Sequence, residues 1–227
     1  MINAQGGSGD FLSGGNGDDT LKGGGGTRDR IVEQGNVDFV LTDDSLTGLG
    51  NDVISGIDLA ILTGGSGANR LDASGFSGKV TLDGSTGDDT LTGGSNRDRL
   101  VGGSGNDYLD GGADNDWLLG GTGDDFLFGN QGEDTILGEG GNDTLQGGGD
   151  RDTLDGGSGF DRAFESADVS SFVLTDEQIR GFGTNTLRKI EEVRVEGGIN
   201  TKLIDTSGYT GRATLVGADG VETIIGT

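Results

Sequence analysis

Carboxylates recur at a fixed interval along the centre of the chain. Residues 84–164 divide into nine consecutive nine-residue units, of which Gly102 to Asp110, reading G-G-S-G-N-D-Y-L-D, is representative. Every unit has an aspartate at its sixth position. Carboxylate oxygens suit hard cations such as calcium, which takes roughly six to eight oxygen ligands. The candidate metal ligands of this block are Asp89, Asp98, Asp107, Asp116, Asp125, Asp134, Asp143, Asp152 and Asp161.

The remaining positions of each unit predict how the aspartates are placed. Six residues of mainly Gly, Asp and Asn predict a turn, and the last three, centred on one aliphatic residue, predict a short strand with one inward side chain. So short a strand gains hydrogen-bonding partners only if successive turns stack, about 4.8 Å apart. Stacked carboxylates about 5 Å apart repel by roughly 1 kcal/mol in water and by several times that at an effective dielectric of about 20. We therefore expect the column to require cations.

The fourth position of the units alternates with a period of eighteen residues. It is glycine in every second unit, whereas the units between carry Asn96, Asp114, Gly132 and Asp150. Asn and Asp tolerate the left-handed conformation best among non-glycine residues. The period predicts two units per turn. One edge then stacks Asp89, Asp107, Asp125, Asp143 and Asp161, and the other stacks Asp98, Asp116, Asp134 and Asp152.

The unit matches the pattern G-G-x-G-x-D-x-U-x, in which U is aliphatic, and so resembles the nonapeptide of the RTX (hemolysin-type) proteins. The resemblance implies an all-β fold, a right-handed parallel β-roll or β-solenoid with two nonapeptides per turn. It also implies Ca²⁺ between turns, with backbone carbonyls of positions 1, 3 and 5 facing one ion and those of positions 2, 4 and 6 facing the next. Ser85 stands where most units have glycine and is left out of the expected carbonyl ligands, which are Gly87, Gly103, Gly105, Asn106, Gly121, Gly123, Asp124, Gly141, Asn142, Gly157 and Gly159.

Related units occur outside the regular block and carry further candidate ligands. Two complete units and a shortened one, Gly6 to Ser13, occupy the beginning of the chain. The unit from Thr47 to Ser55 has an aspartate at position 6, and that from Gly64 to Asp72 has Asn69 there. We expect one continuous solenoid in which residues 52 and 69 extend the edge that holds Asp89. These units add Asp19, Asp29 and Asp52 to the predicted calcium ligands. The seven gaps between same-edge aspartates of the regular block predict about seven ions there.

A second, longer repeat flanks the regular block. Residues 39–94 recur as 172–227 without a gap, at an offset of 133. The second copy has lost ligands, because Asn185 replaces Asp52 and Lys202 replaces Asn69, so we expect this end to fold with little metal. The domains predicted are residues 1–37, N-terminal nonapeptides; 38–83, first copy of the degenerate module; 84–164, the regular roll; and 165–227, second copy.

Composition limits the function. With 15 basic and 39 acidic residues the net charge is −24, which disfavours nucleic acid and anionic membranes as partners. Only 30% of residues are hydrophobic and 51 are glycine, so the metal-free chain is expected to be largely unfolded and calcium to supply folding free energy. Histidine and cysteine are absent, no nucleophile motif occurs, and no enzyme activity is predicted.

The location predicted is extracellular. No membrane span and no N-terminal secretory signal is recognisable, and the chain reads as a piece of a larger repetitive polypeptide. The RTX resemblance implies secretion by type I export. The function predicted is thus that of a calcium-binding structural repeat domain. The alternative is an adhesion module that binds extracellular polysaccharide through three aromatic residues at position 7, Tyr108, Trp117 and Phe126.

Overall fold

The computed structural model describes residues 1–4, 6–167, 171–181, 183–198, 203–217 and 223–225. Within these ranges the chain forms β-strands and no helix, arranged in two sheets of 13 strands each. The first sheet contains β1 (Ile2–Asn3), β3 (Thr20–Lys22), β5 (Phe39–Thr42), β6 (Ser45–Thr47), β7 (Asn51–Ser55), β9 (Arg70–Gly75), β11 (Thr90–Thr92), β13 (Tyr108–Ala113), β15 (Phe126–Gln131), β17 (Thr144–Gly148), β19 (Arg162–Ala167), β23 (Glu192–Gly197) and β25 (Arg212–Gly217).

The second sheet contains β2 (Phe11–Leu12), β4 (Arg30–Gln34), β8 (Leu59–Thr63), β10 (Lys79–Thr86), β12 (Arg99–Ser104), β14 (Trp117–Thr122), β16 (Thr135–Gly140), β18 (Thr153–Ser158), β20 (Ser171–Thr175), β21 (Gln178–Arg180), β22 (Thr184–Arg188), β24 (Leu203–Gly208) and β26 (Thr223–Ile225). Neighbouring strands are mainly parallel. The whole is a β-solenoid of about 11 turns.

The regular block confirms the predicted period. Successive strands alternate between the sheets, and each pairs in parallel with the strand one turn on, so that Leu109 lies opposite Leu127 and Leu118 opposite Ile136. Two nonapeptides therefore make one turn. Each unit contributes one fully buried aliphatic side chain to the core between the sheets, from Leu91, Leu100, Leu109, Leu118, Leu127, Ile136, Leu145, Leu154 and Ala163.

The strands are longer than the sequence pattern predicted. Most strands of the block span six residues, as in Tyr108–Ala113, and only residues 105–107 separate it from the strand before. The prediction of a six-residue turn was wrong, because residues at positions 2 and 3 still pair across the sheet, as Gly112 does with Asn130 and Ala113 with Gln131. The left-handed conformation predicted at position 4 is confirmed at Asp114 and Asp150, with φ of 71° and 72°, but Asn96 does not adopt it.

Each copy of the degenerate module opens with an antiparallel excursion. In the first copy β6 pairs with both β5 and β7, and in the second copy β21 pairs with both β20 and β22. The register irregularity between Val40 and Thr42 recurs between Val173 and Thr175. The regular block between the copies contains nine half-turns, an odd number, so the first excursion lies in the first sheet and the second in the other.

The first excursion also interrupts a predicted edge. Asn69 lies one turn before Asp89, as predicted, and its backbone N–H donates to Asp89 Oδ1 at 2.7 Å. Asp52, however, is separated from Asn69 by β6 and β5, which lie between β7 and β9. Phe39 pairs with Leu71, which places Val37 level with Asn69. The expectation that Asp52 and Asn69 form one continuous edge was therefore wrong.

Candidate metal centre

The aspartates at position 6 form two hydrogen-bonded columns. Asp107 Oδ1 accepts the backbone N–H of Asp89 at 2.7 Å, and Asp125 Oδ1 accepts that of Asp107 at 2.8 Å. On the opposite edge Asp116 Oδ1 accepts the N–H of Asp98 at 2.7 Å. The same bond recurs in every turn of the regular block, and all nine side chains are at most 4% exposed. The fold thus buries an acidic side chain in each half-turn.

The second carboxylate oxygen has no hydrogen-bond partner in most of these residues. The exception in the block is Asp98, whose Oδ2 accepts the N–H of Gly94 at 2.8 Å. A buried polar atom without a partner costs roughly 1 to 3 kcal/mol, and a charged one costs more. Cations bound nearby would offset the cost of burying these anionic oxygens. The unpartnered Oδ2 atoms belong to Asp29, Asp89, Asp107, Asp116, Asp125, Asp134, Asp143, Asp152 and Asp161.

The first glycine of each unit leaves the space around this oxygen open. A Cβ atom on Gly102 would collide with Asp107 Oδ2 and would lie 2.6 Å from the carbonyl oxygen of Gly120, one turn later. The unpartnered Asp107 Oδ2 and the Gly120 carbonyl oxygen therefore both lie next to the space that a Gly102 side chain would fill. Because both are hard oxygen donors, this cradle fits calcium.

Backbone carbonyls alternate in direction along the turn. The odd-position oxygen of Ser104 accepts the N–H of Gly87, one turn earlier, at 2.7 Å. The even-position oxygen of Asp89 accepts the N–H of Tyr108, one turn later, at 2.8 Å. The oxygen of Gly87 likewise faces the position that a Cβ on Gly105 would take. Each gap between turns thus receives odd-position carbonyls from one side and even-position carbonyls from the other, the alternation that the RTX resemblance implied.

Burial perturbs the titration of the columns. It raises the pKa of Asp116 to about 8, with additional repulsion from Asp98 and Asp134, while the hydrogen bond from the Asp98 backbone opposes the shift. Burial likewise raises the pKa values of Asp125 and Asp152 to about 7. These are carboxyl groups that resist ionisation near neutral pH unless a positive charge is close.

The donor set indicates the kind of metal. In the described part of the chain no three Asp, Glu, His or Cys side chains converge as a ready cluster. Any cation between turns must therefore combine few carboxylates with backbone carbonyls. Such all-oxygen coordination suits calcium, whereas zinc prefers the nitrogen and sulfur ligands that this chain lacks. A bound calcium would supply the positive charge beside the unpartnered Oδ2 atoms.

The N-terminal candidates form shorter columns. Asp19 donates its backbone N–H to Asp52 Oδ1 at 2.8 Å, and Asp29 Oδ1 accepts the N–H of Asp10 at 3.0 Å. Sequence reasoning missed Asp10, whose Oδ2 is also buried without a partner. Asp10 lies in the unit Gly6 to Ser13, which is one residue shorter than the nonapeptide. Aligning this unit with the nonapeptide, with a one-residue deletion allowed, would have identified Asp10 as a candidate.

Two buried glutamates, Glu33 and Glu165, were also absent from the residues predicted from the sequence. Glu33 Oε1 accepts the N–H of Gly15 at 3.2 Å, and Glu165 Oε1 accepts Asn185 Nδ2 at 2.7 Å. Burial raises the pKa of Glu165 to about 8. Glu33 follows the unit Gly24 to Val32, and Glu165 follows the unit Gly156 to Phe164. Each glutamate stands where the first glycine of another nonapeptide would be. Lys202, which replaces Asn69 in the second copy of the module, lies outside the described residues.

The three aromatic residues lie on the outer faces. Tyr108 is in register with Phe126 on the first sheet, and they are 42% and 51% exposed. Trp117 is 38% exposed on the second sheet, where the Arg99 guanidinium lies 4.5 Å from its ring centroid. The Tyr108 ring contacts Phe128 rather than Phe126, at 5.2 Å between centroids.

A parallel solenoid that buries carboxylates in successive turns beside glycine cradles has the architecture of a repeat protein whose turns suit cations. The family model described as RTX calcium-binding nonapeptide repeat (4 copies) matches residues 5–27, 75–109, 92–127, 110–145 and 128–163. The chain belongs to the RTX calcium-binding nonapeptide-repeat proteins. None of the curated proteins searched matches it. Over the described residues, no helix is long and apolar enough to cross a membrane.

Proposed function

We propose that this chain is a calcium-dependent structural domain of a secreted protein, disordered without calcium and folded into the solenoid when extracellular calcium binds. The observation that carries the proposal is the buried, unpartnered Asp Oδ2 that recurs along both edges. The domain acts as a rigid support and has no catalytic role. The proposed ligands are the aspartates of the two columns with Asp19, Asp29, Asp52 and the turn carbonyls.

The hydrophobic core supports the dependence on metal. Each unit buries a single aliphatic side chain, so the apolar contribution to stability is small for each unit. Ordering the backbone of all nine residues opposes folding. With a net charge of −24 the folded chain also repels itself. Calcium supplies both a favourable binding free energy and charge neutralisation.

Size-exclusion chromatography of the full chain tests the proposal. In EDTA we expect a hydrodynamic radius typical of an unfolded chain, and in millimolar calcium a smaller and sharper species. Magnesium at the same concentration is the control, since it demands tighter geometry and gives up water reluctantly. An identical radius in EDTA and calcium would contradict the proposal. Extracellular location is tested separately, by fractionating source cells and their medium.

Binding of extracellular polysaccharide is the second candidate function. It is favoured by the exposure of Tyr108, Trp117 and Phe126, since aromatic faces pack against apolar faces of ligands. A triple alanine variant of these residues is expected to keep calcium-driven folding and to lose binding to immobilised polysaccharides. The matched control replaces Thr135, Thr144 and Thr153, which occupy the same position 7, with alanine. Wild-type binding by the aromatic variant would exclude this function.

A further inference from the structure

The degenerate module meets the nonapeptides in the same way at both of its copies. Asp58 precedes β8, and Glu191, its equivalent at the offset of 133, precedes β23. Asp58 Oδ2 accepts the backbone N–H of Asp29 at 3.0 Å, and Glu191 Oε2 accepts that of Asp161 at 2.9 Å. This is the bond that each aspartate of the regular columns makes to the turn before. Two acids outside any nonapeptide therefore continue the columns.

The module also supplies a backbone carbonyl at each junction. In the regular block, a Cβ on Gly138 would lie 2.5 Å from the carbonyl oxygen of Gly156, the first residue of the unit one turn later. At the C-terminal junction, a Cβ on Gly156 would instead meet the carbonyl oxygen of Lys189. At the N-terminal junction, a Cβ on Gly23 would meet that of Gly56.

These two carbonyl residues share an unusual backbone. Gly56 and Lys189 are equivalent at the offset of 133 and have φ of 63° and 49°. The left-handed conformation is costly for lysine, which has a Cβ. The Lys189 side chain points to Asp155, with Nζ 3.4 Å from Oδ1. The conformation is thus retained at Lys189 although glycine has been lost, and it keeps the carbonyl directed at the last turn of the roll.

An unpartnered oxygen lies at each junction. Asp29 and Asp161 are fully buried, and their Oδ2 atoms have no hydrogen-bond partner. Asp161 Oδ2 lies 2.5 Å from the position of the missing Gly156 Cβ, the point that the Lys189 carbonyl also approaches. The donor set of an inter-turn gap is therefore present at the C-terminal junction, and at the N-terminal junction the Asp29 side chain and the Gly56 carbonyl oxygen both approach the missing Gly23 Cβ.

We propose that each module copy closes the roll with a junction calcium site, formed by Asp29 with Gly56 and Asp58 at one end and by Asp161 with Lys189 and Glu191 at the other. This proposal rests on the calcium-binding function proposed above. The chain then binds one ion at each junction in addition to those between nonapeptide turns. The junction acids have been kept as acids in both copies, whereas Asp52 has become Asn185 in the second.

Counting bound calcium by equilibrium dialysis tests the junction sites. Glu191→Gln keeps a hydrogen-bond acceptor for Asp161 but removes the charge, and it is expected to lower the count by one. Asp58→Asn is expected to do the same at the other end, and the double variant to lower the count by two. Glu177→Gln, an exposed glutamate in the turn between β20 and β21, is the charge-matched control and keeps the wild-type count.

A substitution at Lys189 distinguishes the role of its backbone carbonyl from that of its side chain. Lys189→Gly preserves a left-handed residue and its carbonyl, so the count is expected to stay at the wild-type value. Wild-type counts in both Asp58→Asn and Glu191→Gln would overturn the junction sites while leaving calcium binding by the roll intact. If one variant does not fold, the count of the other decides. Wild-type protein that binds no calcium would instead refute the proposed function itself.

Discussion

At the scale of single residues, each column aspartate has two oxygens with different roles. Oδ1 is a structural acceptor for the backbone of the preceding turn, whereas Oδ2 has no protein partner in most units. The side chain therefore stabilises the turn through one atom and destabilises the metal-free fold through the other. Substituting the residue is expected to act in opposite directions with and without calcium.

Asp116→Asn tests this division in the middle of one column. The amide oxygen can still accept the Asp98 N–H, but the negative charge is lost. We expect the calcium concentration at the folding midpoint to rise at least about tenfold, since even groups outside the ligand shell change metal affinity by about 10- to 100-fold. In EDTA the variant should instead be no less structured than the wild type. Circular dichroism during calcium titration measures both effects.

Asp114→Asn is the matched control, because it removes the same charge from an exposed residue two positions away that tolerates the left-handed conformation. Its midpoint should stay within about twofold of the wild type if buried placement decides the effect. Equal shifts in the two variants would mean that net charge alone matters, and the assignment of Asp116 would fail.

The pH dependence follows from the raised pKa values. Burial raises the carboxyl pKa from the ordinary 3.8 to about 6 for Asp98 and to about 8 for Asp116. Between about pH 4 and about pH 8 the folded chain therefore binds more protons than the unfolded chain. The stability of the calcium-free fold therefore increases as pH falls from about 8 to about 4, and no further gain follows below the unfolded pKa. With calcium the trend reverses, because protons compete for the same oxygens.

Circular dichroism at pH 5 and pH 8 in EDTA measures this effect, with the same pair of spectra at saturating calcium as the reference. More β signal at pH 5 than at pH 8 in EDTA is the expected result. A calcium-free β signal that falls on acidification would show that the columns are not buried carboxylates.

At the scale of the turn and strand, the first glycine of each unit is required by space. A Cβ on Gly102 would overlap Asp107 Oδ2, whereas a Cβ on Gly140 would have its nearest neighbour, Ser158 Oγ, at an ordinary 3.5 Å. The two glycines lie in the same kind of strand, so their substitution separates crowding at the site from the general loss of a glycine.

Gly102→Ala is expected to destabilise the calcium-bound fold by about 1 to 3 kcal/mol, the usual range for an overpacked site. Gly140→Ala should be close to neutral or slightly stabilising, since alanine restricts the unfolded chain. Urea unfolding in saturating calcium compares the two. Equal destabilisation by both substitutions would argue that the cradle around Asp107 Oδ2 has no special role.

Much of the arrangement of turns and strands was predictable from the nonapeptide sequence. The period of eighteen, the two aspartate columns and the single inward aliphatic per unit follow from local pattern alone. The length of strands such as β13 was not predictable, because glycine pairs across a sheet without contributing a side-chain signal. The roles of Asp58 and Glu191 were missed for a related reason: they are level with Asp29 and Asp161 only in space. The offset of 133, read together with retained acids, is the signal that points to them.

At the scale of the whole molecule, the solenoid is a stack whose turns contact mainly their neighbours. Stability in such a stack is approximately a sum of terms for single turns and for adjacent pairs. The regular block supplies metal-dependent interfaces, and the two module copies flank it with their excursions in opposite sheets. Sequence alone showed the duplication but not the antiparallel excursions, so their opposition was not predicted.

Far-UV circular dichroism of the full chain during a calcium titration, followed by exhaustive dialysis against EDTA, tests the central claim most directly. Little β signal is predicted before calcium, a cooperative gain with a parallel change in Trp117 fluorescence as calcium is added, and loss of both after EDTA. Full β signal in the thoroughly metal-free chain would contradict the account.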